Sequence, residues 1–466
     1  MSVAERLASV LDESIVSIAE DDLDRHSGDW SARAFVARRA GTHSGRPACV
    51  VRPRSSGDVS KLLAWADESR TALVPYGGGS GVCEAIVPDG AVVVDLGAMS
   101  SVMNLDDRSM VVTVQAGITG PRLDEALRAS GLMLGHEPQS MSISTVGGWI
   151  ATRACGQLSA RFGGIESSLV ALEAVLPGGR IVRSRIAPRR ATGPDVAALM
   201  LGSEGTLGIV TEATLRVGRR PDLPQVRSDR CLRFEHMAEA VGACRFLAQS
   251  DLRPTLVRLY DRDDTAIFFR NQPNAPQGAL LLLSFDGFDA PARAERAVGL
   301  CGGHPEDEDL VAYWLEHRND AVNTYPELMG GQGMLGPHAL VDTMEVSGTW
   351  TVLRDLYHAM KEALGAEADI CGCHLSHVYP DGACLYFTLA SACSDDDHAT
   401  SVHKRWWDAG MQTCIASGGS ISHHHGIGRL KAPWLRQELG GWWDVLVAVK
   451  RAVDPNGIMN PGALGL

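Results

Sequence analysis

The chain has 466 residues, 45% hydrophobic, 21% charged and 6% aromatic, a composition that suits a soluble globular protein and excludes a collagen, a low-complexity scaffold or a disordered tail. Its 43 Lys and Arg against 56 Asp and Glu give a net charge of −13, which argues against a nucleic-acid footprint or docking on anionic lipid but not against a small anionic ligand in a local pocket. At roughly 150 residues per domain the length implies two or three domains, each able to bury a core without staples.

The 11 cysteines run from Cys49 to Cys414 with no CxxC pair, the tightest spacing being Cys371 and Cys373. This is not a disulfide framework and points to free thiols in a reducing cytoplasm. The opening MSVAERLASVLDESIVSIAEDD is acidic and amphipathic, without the basic start and apolar core of a secretory signal, and the closing PGALGL is not a peroxisomal SKL-type address. No apolar run approaches the length that crosses a bilayer. A cytoplasmic protein without a transmembrane segment is expected.

In chain order, residues 1–38 read as a peripheral helical segment. Cys49, Val50 and Val51 form a short apolar strand stopped by Pro53. Val59, Leu62, Leu63 and Ala66 recur at i, i+3, i+4 and i+7, one buried helix face, with Ser55 and Asp58 as a capping pair. A strand at 72–75 leads into Gly77-Gly78-Gly79-Ser80-Gly81, and the turn Pro88-Asp89-Gly90 into another strand at 91–95. Residues 110–116 read as a half-buried strand, and Leu123, Ala126 and Leu127 mark a helix. Residues 140–156 are too polar for core. Residues 170–176, Pro177-Gly178-Gly179 and Ile181-Val182 read as a hairpin. A polar glycine segment at 202–208 enters a strand at 210–217, and Pro221 to Pro224 mark a domain boundary. Beyond it, helices and strands alternate, with β-rich stretches at 280–285 and 384–389, until the turn at 417–420 introduces His423-His424-His425. The fold class is α+β, in two layered domains.

Gly77 to Gly81 alone reads as a flexible hairpin tip. A dinucleotide Rossmann turn fails, because that fingerprint needs a helix directly after the loop. Consecutive glycines between strands can instead curl backbone N–H groups into an anion-binding nest that a phosphate approaches closely. Gln139, Ser140, Ser142, Ser144 and Thr145, then Thr152, Arg153, Ala154 and Cys155, flank Gly147-Gly148 and supply hydroxyls, bare backbone and a guanidinium. Glu204, Gly205, Thr206, Gly208, Ile209 and Val210 form a third such segment. Each alone is weak and reads as a surface loop; the three in this order in one domain are a strong combination for binding a diphosphate.

PYGGGSG at 75–81, GHEPQSMSISTVGGWIATRACG at 135–156 and GSEGTLGIVTEATLRV at 202–217 resemble the FAD-binding domain of the vanillyl-alcohol oxidase / p-cresol methylhydroxylase type. LVRLYD around Arg258, GACLYF around Tyr386 and ISHHHGIGRLKAPWL around the His triplet resemble one branch of it, alkylglycerone-phosphate synthase and its bacterial FAD-linked oxidase relatives. The resemblance covers nearly the whole chain from about residue 30. It implies a two-subdomain FAD-binding domain at 39–222, an α+β cap or substrate domain at 223–440, and a segment at 441–466 returning to the FAD domain. It makes Pro75, Tyr76, Gly77, Gly78, Gly79, Ser80 and Gly81 the phosphate loop and carries the other cofactor contacts to the segments named above. The first glycine loop has no His, so non-covalent FAD is expected.

The same resemblance assigns the chemistry. Tyr386 lies in an apolar run where a tyrosine is usually core, but it matches the proton donor/acceptor. A free phenol ionises near about 10 and needs neighbours that stabilise the phenolate before it serves as a base. His423, His424 and His425 are expected to provide this; consecutive side chains diverge, so all three do not readily bind one metal, and no metal is expected. Arg258, otherwise a surface ion pair, matches an arginine important for activity. Only Arg318 stands in the 314–325 stretch where the synthase carries a substrate-binding arginine, and the functional position itself holds another residue. His374 and His377 lie near the strand where D-lactate and glycolate enzymes bind a metal, but the GDGNxH pattern is absent. The expected activity is an FAD oxidoreductase taking a hydride from a CH–OH carbon of a small or lipid-like substrate to flavin N5. The alternative is the synthase reaction itself, exchange of acyl for fatty alcohol on acyl-dihydroxyacetone phosphate without net redox. A non-enzymatic flavin binder and a metalloenzyme built on His374, His377 and the triplet are the other readings. A homodimer is one expectation, because relatives are often dimers.

Overall fold

The computed structural model describes residues 2–43, 45–220, 227–272 and 275–466. The expected boundary at Pro221 to Pro224 and 222/223 lies outside the described residues. Three β-sheets carry the architecture. In the first, Val16–Ser17, Cys49–Val51, Val92–Asp95 and Leu73–Tyr76 lie side by side, the last three parallel. The parallel pairing of Leu73–Tyr76 with Val92–Asp95 removes the hairpin-tip reading of the first glycine segment. The chain between them must cross over, and it does so as an open loop. Val92 and Val94 face one apolar cluster, Val93 the other, the period-2 alternation of a sheet covered on both sides. Ser55 caps the helix Ser56–Ser69 by accepting the Asp58 N–H, and Val59, Leu62, Leu63 and Ala66 form its buried stripe as the spacing requires. The reciprocal Asp58 bond comes from the Arg54 N–H, not that of Ser55.

The second sheet is antiparallel throughout, in the order Val102–Asp106, Val111–Gln115, Ile209–Arg216, Leu169–Leu176 and Arg180–Arg183. Its last two strands are the expected hairpin. The third sheet has seven antiparallel strands: His304–Glu306, Arg227–Phe234, Ala279–Asp286, Leu256–Tyr260, Ile370–Ser376, Gly382–Ala392 and Ala339–Thr349. Its long apolar run has a simple cause. Leu281 and Leu283 pack into the large helical core, while Leu280 and Leu282 pack against Phe269, Val311 and Trp314 on the other face.

Two expectations change. Residues 1–38 are neither wholly helical nor peripheral: Val16–Ser17 is a strand, Leu7, Leu11 and Ile15 join one core, and Ala32 and Val36 join the other. Residues 146–152 are not loop but a short helix, Val146–Thr152, whose Val146, Trp149 and Ile150 are buried. At the C-terminus, Asn460 donates from its backbone to Leu73 and from its side chain to Ala85 and Glu204, so this segment lies against the first sheet. No helix among the described residues is long and apolar enough to cross a membrane, and all 11 cysteines are free.

Candidate active site

A cavity of about 330 Å³ runs between the first two sheets and the third. Its wall includes Pro75 to Gly81, Gln139, Ser140, Ser144 and Thr145, then Gly147, Gly148, Thr152, Ala154 and Cys155, and Glu204, Gly205, Gly208, Ile209 and Val210. The same wall includes Arg258, His374, His377, Tyr386, His424 and His425. The structure thus brings most of the sequence-derived residues onto one surface. Ser142, Arg153, Thr206, His423 and Arg318 are not on it. Ser142 and Arg153 are exposed, and Thr206 is buried with its hydroxyl bonded to the Ser203 carbonyl. Arg318 is held by Glu137 at 2.8 Å.

Glycine is required in the first glycine loop for close approach of neighbouring backbone and side chains. A Cβ on Gly78 would stand 1.8 Å from the Ile143 carbonyl oxygen and one on Gly77 2.4 Å from Thr145 Oγ1, while Gly79 has φ +66°. The first and second glycine segments are therefore locked together, a reason for Gly78 that the loop sequence alone does not carry. Among the described residues, the N–H groups of Gly78, Gly79 and Ser80 donate to no protein acceptor, so the curled backbone is free to hold a pyrophosphate. Glu204 lines the cavity, but its carboxylate accepts the N–H of Ile427 at 2.6 Å and Gly428 at 2.7 Å. It ties the third segment to the loop carrying the His triplet. Burial pushes it up to about 7, against the pull of those two N–H groups.

On the third sheet, Tyr386 and His374 are cross-strand partners, and their rings stack at 4.5 Å. His374 Nδ1 bonds Asp264 at 2.9 Å, which leaves Nε2 as the nitrogen free to act. Arg258 lies over the rings of Tyr260 and Trp314, and its Nε has no partner. The triplet sits on a loop anchored by one buried carboxylate. Glu345 accepts from Ser422 Oγ at 2.8 Å, from the backbone of His423 and His425, and from Lys431 Nζ at 2.7 Å. Glu345 and Lys431 are both fully buried. Burial opposes the Glu345 charge, but Lys431 and His425 outweigh it and hold the group at about 2.

The electrostatics correct one expectation. Burial pushes Tyr386 above the ordinary phenol range and outweighs the help of Thr343 and Arg258. Burial also drives His374, His377, His423, His424 and His425 below the ordinary imidazole value, His425 to about 4. The triplet is neutral and does not make Tyr386 a phenolate. Sequence reasoning missed Glu345, Lys431, Asp264 and Tyr379, whose signal is tertiary. It also missed Asp29 and Trp30, which line the cavity from the N-terminal segment.

One cavity wall thus joins three glycine-rich segments to a cluster of Tyr, His and Arg side chains. Residues 47–185 match the FAD binding domain, and residues 223–464 match the C-terminal domain of FAD linked oxidases. The chain belongs to this family, and FAD is its cofactor. It is 31% identical to an uncharacterised FAD-linked oxidoreductase, YgcU, of Escherichia coli O157:H7, over 90% of this chain and 89% of that protein. It is 31% identical to the alkyldihydroxyacetonephosphate synthase of Dictyostelium discoideum, over 96% of this chain and 78% of the other. A mitochondrial D-lactate dehydrogenase (cytochrome) of Arabidopsis thaliana is 28% identical over 90% of this chain and 73% of its own. A solved alkyldihydroxyacetonephosphate synthase superposes with TM-score 0.78 at 26% identity, covering 98% of this chain and 84% of that one. A p-cresol methylhydroxylase structure, 15% identical with TM-score 0.76 and covering 99% and 96%, shares the fold.

Proposed function

We propose that this enzyme oxidises a CH–OH carbon of a small anionic substrate, with FAD bound non-covalently. The observation that carries the reading is the Arg258 guanidinium, whose Nε has no partner, on the same cavity wall as Tyr386 and the Asp264-supported His374. A carboxylate or phosphate on the substrate pairs with Arg258. Its hydroxyl proton passes to a neutral imidazole, with His374 Nε2 oriented for this by Asp264. Tyr386, a neutral phenol, donates a hydrogen bond to the substrate oxygen. Bound flavin supplies the centre that accepts the hydride and its electron pair. The products are the carbonyl compound and one proton. The first glycine loop offers no His for a covalent link, and the free N–H groups of Gly78, Gly79 and Ser80 suit a diphosphate.

The exchange of acyl for fatty alcohol is the second reading, supported by the synthase likeness along nearly the whole chain. Arg318 weakens it, because Glu137 holds that guanidinium away from the cavity wall. Anaerobic holoenzyme mixed with D-lactate, glycolate or glycerol 3-phosphate tests the two. Bleaching of the flavin by any of these supports oxidation. No bleaching, with labelled hexadecanol entering acyl-dihydroxyacetone phosphate, would establish exchange instead.

A further inference from the structure

We propose that Tyr379, His423 and His424 form a proton relay joining the cavity to the surface turn at residues 377–381. The inference rests on the reading that proton transfer accompanies the chemistry in this cavity. His424 lines the cavity; Tyr379 is half-buried beside the exposed Pro380 and Asp381. His424 Nδ1 faces His423 Nδ1 at 3.0 Å, and His423 Nε2 meets the Tyr379 hydroxyl at 2.9 Å. The hydroxyl also lies 3.5 Å from Cys155 Sγ.

Two lone pairs cannot face each other across 3.0 Å, so one of the two Nδ1 atoms carries a hydrogen. If it is on His423, Nε2 of His423 accepts from Tyr379, and His424 is protonated on Nε2. If it is on His424, His423 is protonated on Nε2 and donates to the Tyr379 oxygen, whose own hydrogen turns to Cys155. Both arrangements are neutral, and each makes the two hydrogen bonds that join Tyr379, His423 and His424. In the second, His424 Nε2 has an open lone pair. A proton arriving there sends the Nδ1 hydrogen to His423 and the His423 Nε2 hydrogen to the Tyr379 oxygen, and the Tyr379 hydrogen breaks its contact with Cys155 and passes to a water at the half-buried Tyr379. One proton enters and one leaves; no electrons move and no imidazole remains charged. This matters because burial makes a lasting imidazolium costly at each position. The reverse shift returns a proton when the cycle needs one. Burial and the Lys431 ammonium oppose a lasting charge on His424, and at His423 burial opposes it while Glu345 favours it, so a passing positive charge is best borne on His423. His377 stacks on His423, and Cys155, His377 and His423 place ligand-type atoms within 4.8 Å of one another. Both His423 nitrogens are already bonded, so an ion there would break the chain. Tyr379 acts only through His423 and is a positioning residue for the reaction.

The test uses no organic substrate. Holoenzyme reduced with one equivalent of dithionite is mixed anaerobically with ferricyanide in weak buffer containing phenol red. Two electrons pass to two ferricyanide ions, and the proton left in the cavity must reach water. In the wild type the indicator should change together with the flavin absorbance. In Tyr379→Phe, and in His423→Gln, which keeps a donor and an acceptor but cannot shuttle, the proton should lag by about 100-fold. Flavin content should be unchanged, and added imidazole should abolish the lag. Proton release that keeps pace in either folded variant would overturn the relay. So would a lag that imidazole leaves untouched, or a stoichiometric metal ion that EDTA removes from the holoenzyme. A failure to find any oxidisable hydroxy substrate would defeat the proposed function alone.

Discussion

At the scale of single residues, Glu345 organises the loop that carries the His triplet. It holds two backbone N–H groups of the His loop, Ser422 and Lys431 at once. Glu345→Gln leaves Lys431 charged and buried without its partner and should cost about 3–5 kcal/mol, read by urea unfolding. Glu345→Leu with Lys431→Met should recover much of that stability but not turnover, because the loop loses its acceptor. The sign with pH follows from the depressed carboxyl. Its stabilisation is complete above about 4.5 and fades as pH falls towards about 2. Wild type should therefore lose stability across that window more steeply than Glu345→Gln does. Tyr386→Phe should keep flavin and fold while turnover falls about 100-fold or more; a fully active variant would remove Tyr386 from the chemistry. Because burial keeps the phenol neutral, no gain in rate from Tyr386 ionisation is expected between pH 7 and 9.

At the scale of elements, the periodic and punctuated parts were readable. The buried stripe of Ser56–Ser69, its Ser55 cap, and the hairpin of Leu169–Leu176 with Arg180–Arg183 follow from local pattern. Ser55→Ala should cost about 1 kcal/mol in unfolding experiments, the loss of one cap. The helix Val146–Thr152 was hidden because its Gly-Gly and Thr composition has low helix propensity, and only burial of Val146, Trp149 and Ile150 secures it. The strand Val16–Ser17 is two residues long, too short for an alternation to show. The glycine segments stand out in the sequence, but the lock between the first two, Gly78 against Ile143 and Gly77 against Thr145, does not. Gly78→Ala should lose flavin and stability together, seen as a fallen ratio of 450 to 280 nm absorbance and a lowered Tm. A variant with full flavin content would show that the loop yields.

At the scale of the whole molecule, the site exists only because three sheets and both chain ends converge. Tyr386, Arg258 and the His triplet were found by resemblance; composition and period gave none of them. Glu345, Lys431, Asp264 and Tyr379 were invisible for a physical reason. Each works through a partner from another element: Asp264 and His374 are 110 positions apart, and Tyr379 and His423 are 44 apart. Arg318 shows the converse, a guanidinium in a suggestive stretch that is off the cavity wall, bonded to Glu137 through Nη2 and lying over Trp314. The most direct test of the whole account is the visible absorption spectrum of the purified protein before and after acid precipitation. A flavin spectrum whose yellow colour leaves with the supernatant is the result predicted by the proposal that FAD binds in the glycine-walled cavity without a covalent link. Colour retained in the pellet would contradict the reading of the glycine loop, and a colourless protein that takes up no added FAD would contradict the account itself.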